Sequence, residues 1–185
     1  MAEYYLIAQL PSLDGVGENM PVPITEERFL ELCCRFLGKK AQNELIGLSL
    51  VPSKDYSKSS SKLIKAWNEG ERNLRLVLGK IRAEKMNKKF DTENKEFSEA
   101  LLQTARTAVE MESPMEAEKF LNRYRLDYLE TLRPMDAFAL DYIFYYWLKL
   151  KLILRIRQFN ADSGKATYKN IYDSIMSGDR LEVIQ

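Results

Sequence analysis

The sequence predicts an all-α protein, an antiparallel helical bundle of six to seven helices with at most a short N-terminal strand or extended arm. Three observations predict it. Apolar residues recur at helical spacing along most of the chain. Capping residues and stops bracket those runs. Glycine and proline are few, 8 and 6 in 185 residues, so long irregular stretches are not expected. With 45% hydrophobic residues the chain can bury a sizeable core, and residues 1–185 are read as a single helical domain without a fixed-period repeat.

Taken in order, Tyr4–Leu10 is β-prone and apolar and ends at Pro11, which suggests the short strand or arm. Residues 12–24 carry Gly15, Gly17, Pro21 and Pro23 and read as loop. Thr25 is placed to cap a helix whose first turn holds Glu26 and Glu27, with Phe29, Leu30, Cys33, Phe36 and Leu37 facing inward and a stop near Gly38. Residues 41–50 allow a short helix. The polar, serine-rich stretch 52–61 is the expected flexible loop. The helical period returns from Lys62 through Met86 with Leu63, Ile64, Trp67, Leu74, Val77, Leu78 and Ile81 on its stripe, and Gly70 inside that helix points to close packing or a bend.

A break at 87–94 precedes a helix over about 97–112, with Ala100, Leu101, Ala105, Ala108 and Val109 apolar. Ser113-Pro114-Met115-Glu116 is the clearest local signal: Ser113 caps, Pro114 takes the first helical position and Glu116 closes a capping box. That helix should end before Arg133-Pro134. Asp136 is then read as the cap of a helix reaching Phe159, residues 160–164 as a turn, and 165–176 as a last helix with Tyr168, Ile171, Tyr172 and Ile175 on one face.

Composition excludes several kinds of chemistry. There is no histidine, which removes Ser-His-Asp and Cys-His catalysis, His-ligated zinc and a histidine pH switch. The two cysteines, Cys33 and Cys34, are adjacent and read as buried reduced thiols, too few for a cysteine metal site. The net charge of +1 argues against a dedicated nucleic-acid binder. The start of the chain lacks a basic region before its apolar run, so no signal peptide is expected. The most apolar stretch, 140–156, is interrupted by Asp141, Lys149, Lys151 and Arg155, whereas a bilayer span needs roughly 20 mostly apolar residues. No membrane insertion is expected, and the stretch is read as the helix at the centre of the core. Its aromatic run at 142–147 is likewise read as packing rather than as a stacking platform for nucleic acid.

Charge is unevenly spread. Residues 39–90 hold 13 basic and 5 acidic side chains, a net +8, while residues 91–136 hold 6 and 11, a net −5. The two segments can attract one another within the fold, or the basic one can face an acidic partner. Arg72, Arg75, Lys80, Arg82 and Lys85 fall mostly off the apolar stripe of their helix, as a solvated face or an electrostatic dock would. Gly164-Lys165 lacks the glycine and hydroxyl spacing of a phosphate loop, since Phe159 and Ala166 occupy the positions that matter. Glu110, Glu112, Glu116 and Glu118 do not form a di-iron pattern without histidine. Nothing assembles a nucleophile, an activating base and an oxyanion site, so no catalytic residue, cofactor or metal site is predicted and an enzyme is not expected.

Three segments together resemble an uncharacterised bacterial family encoded within V-type ATPase operons. They are EYYLIAQLPSL at 3–13, AWNEGERNLRLVLGKIR at 66–82 and LKLKLILRIRQFNADSGKATYKNI at 148–171. The matching positions are Tyr4, Tyr5, Leu6, Ala8, Leu10 and Pro11; Trp67 and Asn73; Leu148, Lys149, Leu150, Ile153 and Arg155; Gly164 and Lys165. The three stretches cover under a third of the chain, which is shorter than many members, mainly between the opening and the middle helix.

The resemblance implies a non-catalytic structural subunit of a bacterial V-type ATPase, a helical central-stalk cap that couples the stalk to the membrane rotor ring. It implies the stalk and ring subunits as partners, and a cytoplasmic location peripheral to the membrane. The alternatives are an assembly factor or regulator of the same machine, or an unrelated helical adaptor. Within the leading reading the candidate partner contacts are Arg72, Asn73, Arg75, Lys149, Arg155 and Lys165, with Trp67 as an aromatic anchor. For each of them a role inside the fold competes: Trp67 as core, Lys149 and Arg155 as partners of internal carboxylates.

Overall fold

A computed structural model describes residues 2–16, 20–52, 59–90, 95–158 and 161–176, with side chains undescribed at 2, 161–163, 165 and 166. The protein is all-α, with eight helices and no strand among the described residues. They are α1 (Ala2–Gln9), α2 (Glu26–Phe36), α3 (Lys39–Gly47), α4 (Lys62–Lys85), α5 (Glu99–Glu110), α6 (Pro114–Thr131), α7 (Leu140–Gln158) and α8 (Ala161–Met176).

Local chemistry sets most of the boundaries. Thr25, Ser61, Ser98 and Ser113 each accept a hydrogen bond from the backbone N–H three residues on, which satisfies an otherwise orphaned donor at the helix start. Pro114 opens α6 where its missing N–H costs nothing. Three expectations are corrected. The N-terminal segment is a helix rather than a strand or arm: Leu6 is fully buried with Ile7 and Leu10 beside it, a spacing that a helix can turn to one side and a strand cannot. Asp136 accepts from the Phe138 N–H at 2.9 Å, which makes a local turn, and α7 begins only at Leu140. Of the expected turn at 160–164, residues 161–164 belong to α8. Most of the serine-rich loop, 53–58, lies outside the described residues.

α7 is the axis. Every residue from Ile143 to Leu150 is buried, as a helix enclosed on all sides requires. Its aromatic rings are locked by neighbours: Phe29 of α2 stacks on Tyr146 and Trp147 at 5.4 and 5.0 Å between ring centres. Trp147 donates from Nε1 to the Leu45 carbonyl at 3.1 Å, and Lys151 lies 4.5 Å above the indole while donating to the Leu48 carbonyl.

The buried apolar residues fall into two clusters. The larger gathers α1, α2, α3, α7, the first turns of α4 (Leu63, Ile64, Trp67) and the end of α6 (Leu129). The smaller joins the second half of α4 (Leu74, Val77, Leu78) to α5 (Leu101, Ala105, Ala108) and to Leu121 of α6. Between them α4 contributes Asn68 and Glu71, and α6 contributes Asn122 and Arg125, all four buried. This polar waist divides the core while α4 and α6 run through both halves. At the waist Gly70 lets the Tyr128 ring lie against α4. A Cβ on Gly70 would stand 2.3 Å from Tyr128 Cε1, and the Tyr128 hydroxyl donates to the Ala66 carbonyl at 2.9 Å. The close-packing alternative read from Gly70 is the one realised.

Candidate functional site

The most developed polar architecture lies on the faces of α4, α6 and α7, and it has two parts. The first is a chain of alternating charges. Arg75 Nε meets Glu71 Oε2 at 3.3 Å, and Glu71 Oε1 accepts from Arg125 Nε at 2.7 Å. Arg125 Nη1 reaches Glu118 Oε1 at 3.2 Å and Asn122 Oδ1 at 2.9 Å, and Glu118 Oε1 also accepts from Arg155 Nη2 at 2.7 Å. Five charged side chains from three helices thus alternate in sign. Glu71 and Arg125 sit deepest, where an unpartnered charge would be very costly.

The second part clamps the α1–α2 loop onto α7. Lys149 is buried on α7 and places Nζ 2.5 Å from Asp14 Oδ1 and 2.6 Å from Glu130 Oε1, and it donates to the Tyr145 hydroxyl at 3.3 Å. Tyr145 in turn donates to Glu130 Oε1 at 2.7 Å. Arg133 stands 3.8 Å from Asp14 Oδ2 and 5.8 Å over the Tyr145 ring. One turn away Tyr146 donates to the Pro11 carbonyl at 2.8 Å, and Leu13 is buried beneath the loop. Clefts of about 250 and 480 Å3 open on the two sides of Asp14 and Lys149.

The environment favours the charged forms of Lys149, Asp14 and Glu130 and the neutral form of Tyr145. Lys149 loses by burial, but the hydrogen bonds to Asp14 and Glu130 outweigh that and hold its ammonium above the usual lysine range. The Lys149 hydrogen bond holds the Asp14 carboxyl below its usual range. Burial pushes Glu130 up, yet the donors Lys149 and Tyr145 bring it below the ordinary value. Burial, with the Glu130 acceptor, pushes the Tyr145 hydroxyl up to about 12. The cluster therefore holds fixed charges at neutral pH; it has no group poised to exchange a proton there.

The candidates read from the sequence separate clearly. Arg75 and Arg155 are brought together as the two ends of the charge chain, and Lys149 is the centre of the loop clamp. Trp67 is not a surface anchor: it is 0% exposed in the larger cluster, stacked near Tyr128, and its Nε1 meets no acceptor among the described residues. Arg72 is exposed on the outer side of α4. Asn73 is half-buried, and its Oδ1 has no hydrogen-bond partner among the described residues. Lys165 belongs to α8, with its side chain outside the described residues.

Glu118, weighed from the sequence only as one of a run of carboxylates, bridges two arginines. No group of three or more potential metal ligands occurs among the described residues. Cys33 is buried, with burial pushing its thiol up to about 12, whereas Cys34 is exposed, contrary to its reading as a buried thiol.

Sequence reasoning missed Asp14, Glu71, Arg125 and Glu130. For Glu71 and Arg125 a signal was present. Glu71 sits four residues after Trp67 and three before Leu74, and Arg125 sits midway between Leu121 and Leu129, so each is a charge on an apolar stripe. Asp14 and Glu130 gave no such sign, because their partner comes from a helix more than a hundred residues from Asp14 in sequence.

Residues 91–179 match a family described as "protein of unknown function (DUF2764)". The match takes in α5 to α8, with Glu118, Arg125, Glu130, Lys149, Arg155 and Lys165, and leaves out Asp14, Trp67, Glu71, Arg72, Asn73 and Arg75. No curated protein and no solved structure matches the chain.

Proposed function

We propose that the chain is a non-catalytic structural subunit of a bacterial V-type ATPase that couples the central stalk to the membrane rotor ring. The machine is suggested by the resemblance of residues 3–13, 66–82 and 148–171. The observation that carries the structural role is the charge chain Arg75–Glu71–Arg125–Glu118–Arg155. A coupling body must transmit torque without deforming, and it needs no chemistry of its own. Here the ionisable side chains inside the bundle are spent on tying α4, α6 and α7 to one another. Charge-assisted bonds of this kind resist sliding between helices because each displacement would leave a buried charge unpaired. The Lys149 clamp fixes the α1–α2 loop to the same axis.

The protein's place in such a machine is cytoplasmic and peripheral, and no helix among the described residues is long and apolar enough to cross a membrane. The test is a pull-down of the tagged protein from its native membranes with quantitative mass spectrometry. Stoichiometric recovery of catalytic, stalk and ring subunits is the expected result. Recovery of free stalk subunits alone would favour an assembly factor. Recovery of no ATPase subunit after mild, low-salt extraction would overturn the ATPase reading.

A further inference from the structure

Beyond the charge chain, the last turns of α7 face a separate cavity of about 160 Å3, bounded also by α6 and the α1–α2 loop. Val16, Leu126, Ile153 and Ile156 give it an aliphatic wall, and its other lining residues are Lys119, Arg123 and Arg157. Every polar side chain among the described lining residues is therefore a cation. Lys119 and Arg123 stand four residues apart on α6 and share one face of it, and Arg157 comes from the last turn of α7. Depth separates the two chemistries: Ile153 is 6% exposed, whereas the Arg123 side chain is 79% exposed. Arg123 pairs with Asp127 at 3.3 Å, but both lie largely in water, where such a pair is weak. Lys119 and Arg157 also interact elsewhere in the chain. A lysine has three donors and an arginine five, so each can serve a further acceptor.

From this cavity we infer that the protein binds a single aliphatic carboxylate, its hydrocarbon chain against Leu126 and Ile153 and its anionic head on Lys119, Arg123 and Arg157. Three features select this ligand. The cations offer donors and positive charge alone, which suits a carboxylate and repels an amine. A peptide segment would bring backbone N–H groups that need acceptors, and no lining side chain among the described residues supplies one. The volume is close to that of the ~150 Å3 apolar cavity known to admit benzene, so the site takes a chain rather than a folded surface. A longer chain has room to continue, because the neighbouring cleft of about 480 Å3 shares Val16, Arg123, Leu126 and Ile153. That cleft is also lined by Asp14, Asp127 and Glu130 against Arg123 and Lys149, which keeps the anionic head at the Arg157 end.

The experiment is isothermal titration calorimetry of the purified protein with three probes: decanoate, acetate and decyltrimethylammonium. Acetate has the head without the chain, and decyltrimethylammonium has the chain with the opposite charge. The expected result is saturable one-to-one binding of decanoate, with both other probes at least tenfold weaker. Arg123→Glu should weaken decanoate binding at least tenfold. Lys65→Glu, the same charge change at an exposed position of α4, should leave it within twofold. Leu126→Trp, which fills the cavity, should abolish it. Circular dichroism checks that each variant retains the helix content of the parent, and if Leu126→Trp does not, Arg123→Glu and the three probes decide.

Failure of decanoate to bind would overturn the inference. Equal binding of acetate would reduce the site to a patch of surface charge, and equal binding of decyltrimethylammonium to a bare apolar hollow; either overturns it, as does decanoate binding unchanged by Arg123→Glu. Co-sedimentation with phosphatidylglycerol vesicles that is lost in Arg123→Glu, without decanoate binding, would assign the cations to a membrane surface and overturn it too.

Discussion

Glu71 is 2% exposed, and its carboxylate is shared between Arg125 and Arg75, so its place inside the bundle depends on both guanidinium groups remaining there. Replacing Arg125 with Met keeps the volume and removes the charge. The buried Glu71 is then left with the half-exposed Arg75 alone, and the expected loss is about 3–5 kcal/mol by urea denaturation. Replacing both partners, Glu71→Met with Arg125→Met, removes the stranded charge as well. The double variant is expected to be more stable than Arg125→Met, and a double variant less stable than the single would show that the pair does not carry the energetics assigned to it.

The Lys149 clamp makes a prediction about pH. Asp14 and Glu130 titrate below their ordinary values in the folded state, so their contribution is complete above about pH 5 and is lost as pH falls through the folded values. Lys149 titrates above its ordinary value, so its contribution is complete below about pH 10 and is lost as pH rises through the folded value. Tyr145, pushed up to about 12, acts in the same alkaline direction. The clamp's contribution should therefore be level between about pH 5 and 9.5, while the buried Cys33 thiol, pushed up to about 12, adds its own loss above about pH 8.5, so the melting temperature should be level between about pH 5 and 8.5 and fall on either side. Lys149→Met should flatten the alkaline limb relative to the parent, and equal alkaline limbs in the two proteins would exclude the clamp as its cause.

At the scale of the element, the sequence is most readable where a helix begins with its own chemistry. Thr25 and the Ser113-Pro114-Glu116 box mark their helices within the segment itself, and the structure realises both caps. The reading fails where tertiary contact decides. α1 is β-prone by composition, but the adjacent Leu6 and Ile7 both pack on the larger cluster, which a helix allows and a strand, whose neighbours point to opposite faces, does not. Asp136 looks like a helix cap in sequence and spends its side chain on a turn three residues too early. The charge pairs were half legible: Arg75, Lys149 and Arg155 could be picked out, but their carboxylate partners lie on other elements, and no local pattern joins positions so far apart.

Gly70 gives the element-level test. In an exposed helix Gly→Ala gains about 1 kcal/mol. In α4 the new methyl would collide with the Tyr128 ring, whose hydroxyl is tied to Ala66, so Gly70→Ala is expected to destabilise by about 1–3 kcal/mol. In a Tyr128→Leu background the ring is gone, and Gly70→Ala should become neutral or stabilising. A loss of the same size in both backgrounds would place the cost elsewhere.

For the molecule as a whole, the division of the core at the waist has a consequence for how rigidly it moves. The larger cluster surrounds α7 with aromatic and long aliphatic side chains, and ten residues of that helix are buried. The smaller cluster is built from seven buried residues, two of them alanines on α5. Among the described residues α5 packs chiefly on α4 and also on α6, with Lys85 Nζ donating to the Val109 carbonyl at 3.4 Å, and it bears no member of the charge chain. Its attachment therefore rests on apolar contact worth roughly 25 cal/mol per Å2 and on that one exposed hydrogen bond, while α7 is held by burial, by the loop clamp and by Arg155 together.

Structures partitioned in this way open in steps, the less buried unit first. Native-state hydrogen exchange in low urea should show the α5 amides exchanging through a partial opening, at a lower free energy and with a smaller urea dependence than the amides at the centre of α7. Arg125→Met should bring the two sets closer together, because it weakens the waist that lets the larger unit stand while the smaller opens. If α5 and α7 amides exchange with one free energy and one urea dependence in the parent protein, the two clusters are a single cooperative unit and the waist is no boundary. Should the partial opening be seen, the stiff body that the proposed coupling role would require consists of α1–α3, α7 and the adjoining parts of α4 and α6. The α5 end is then the part of the molecule free to yield.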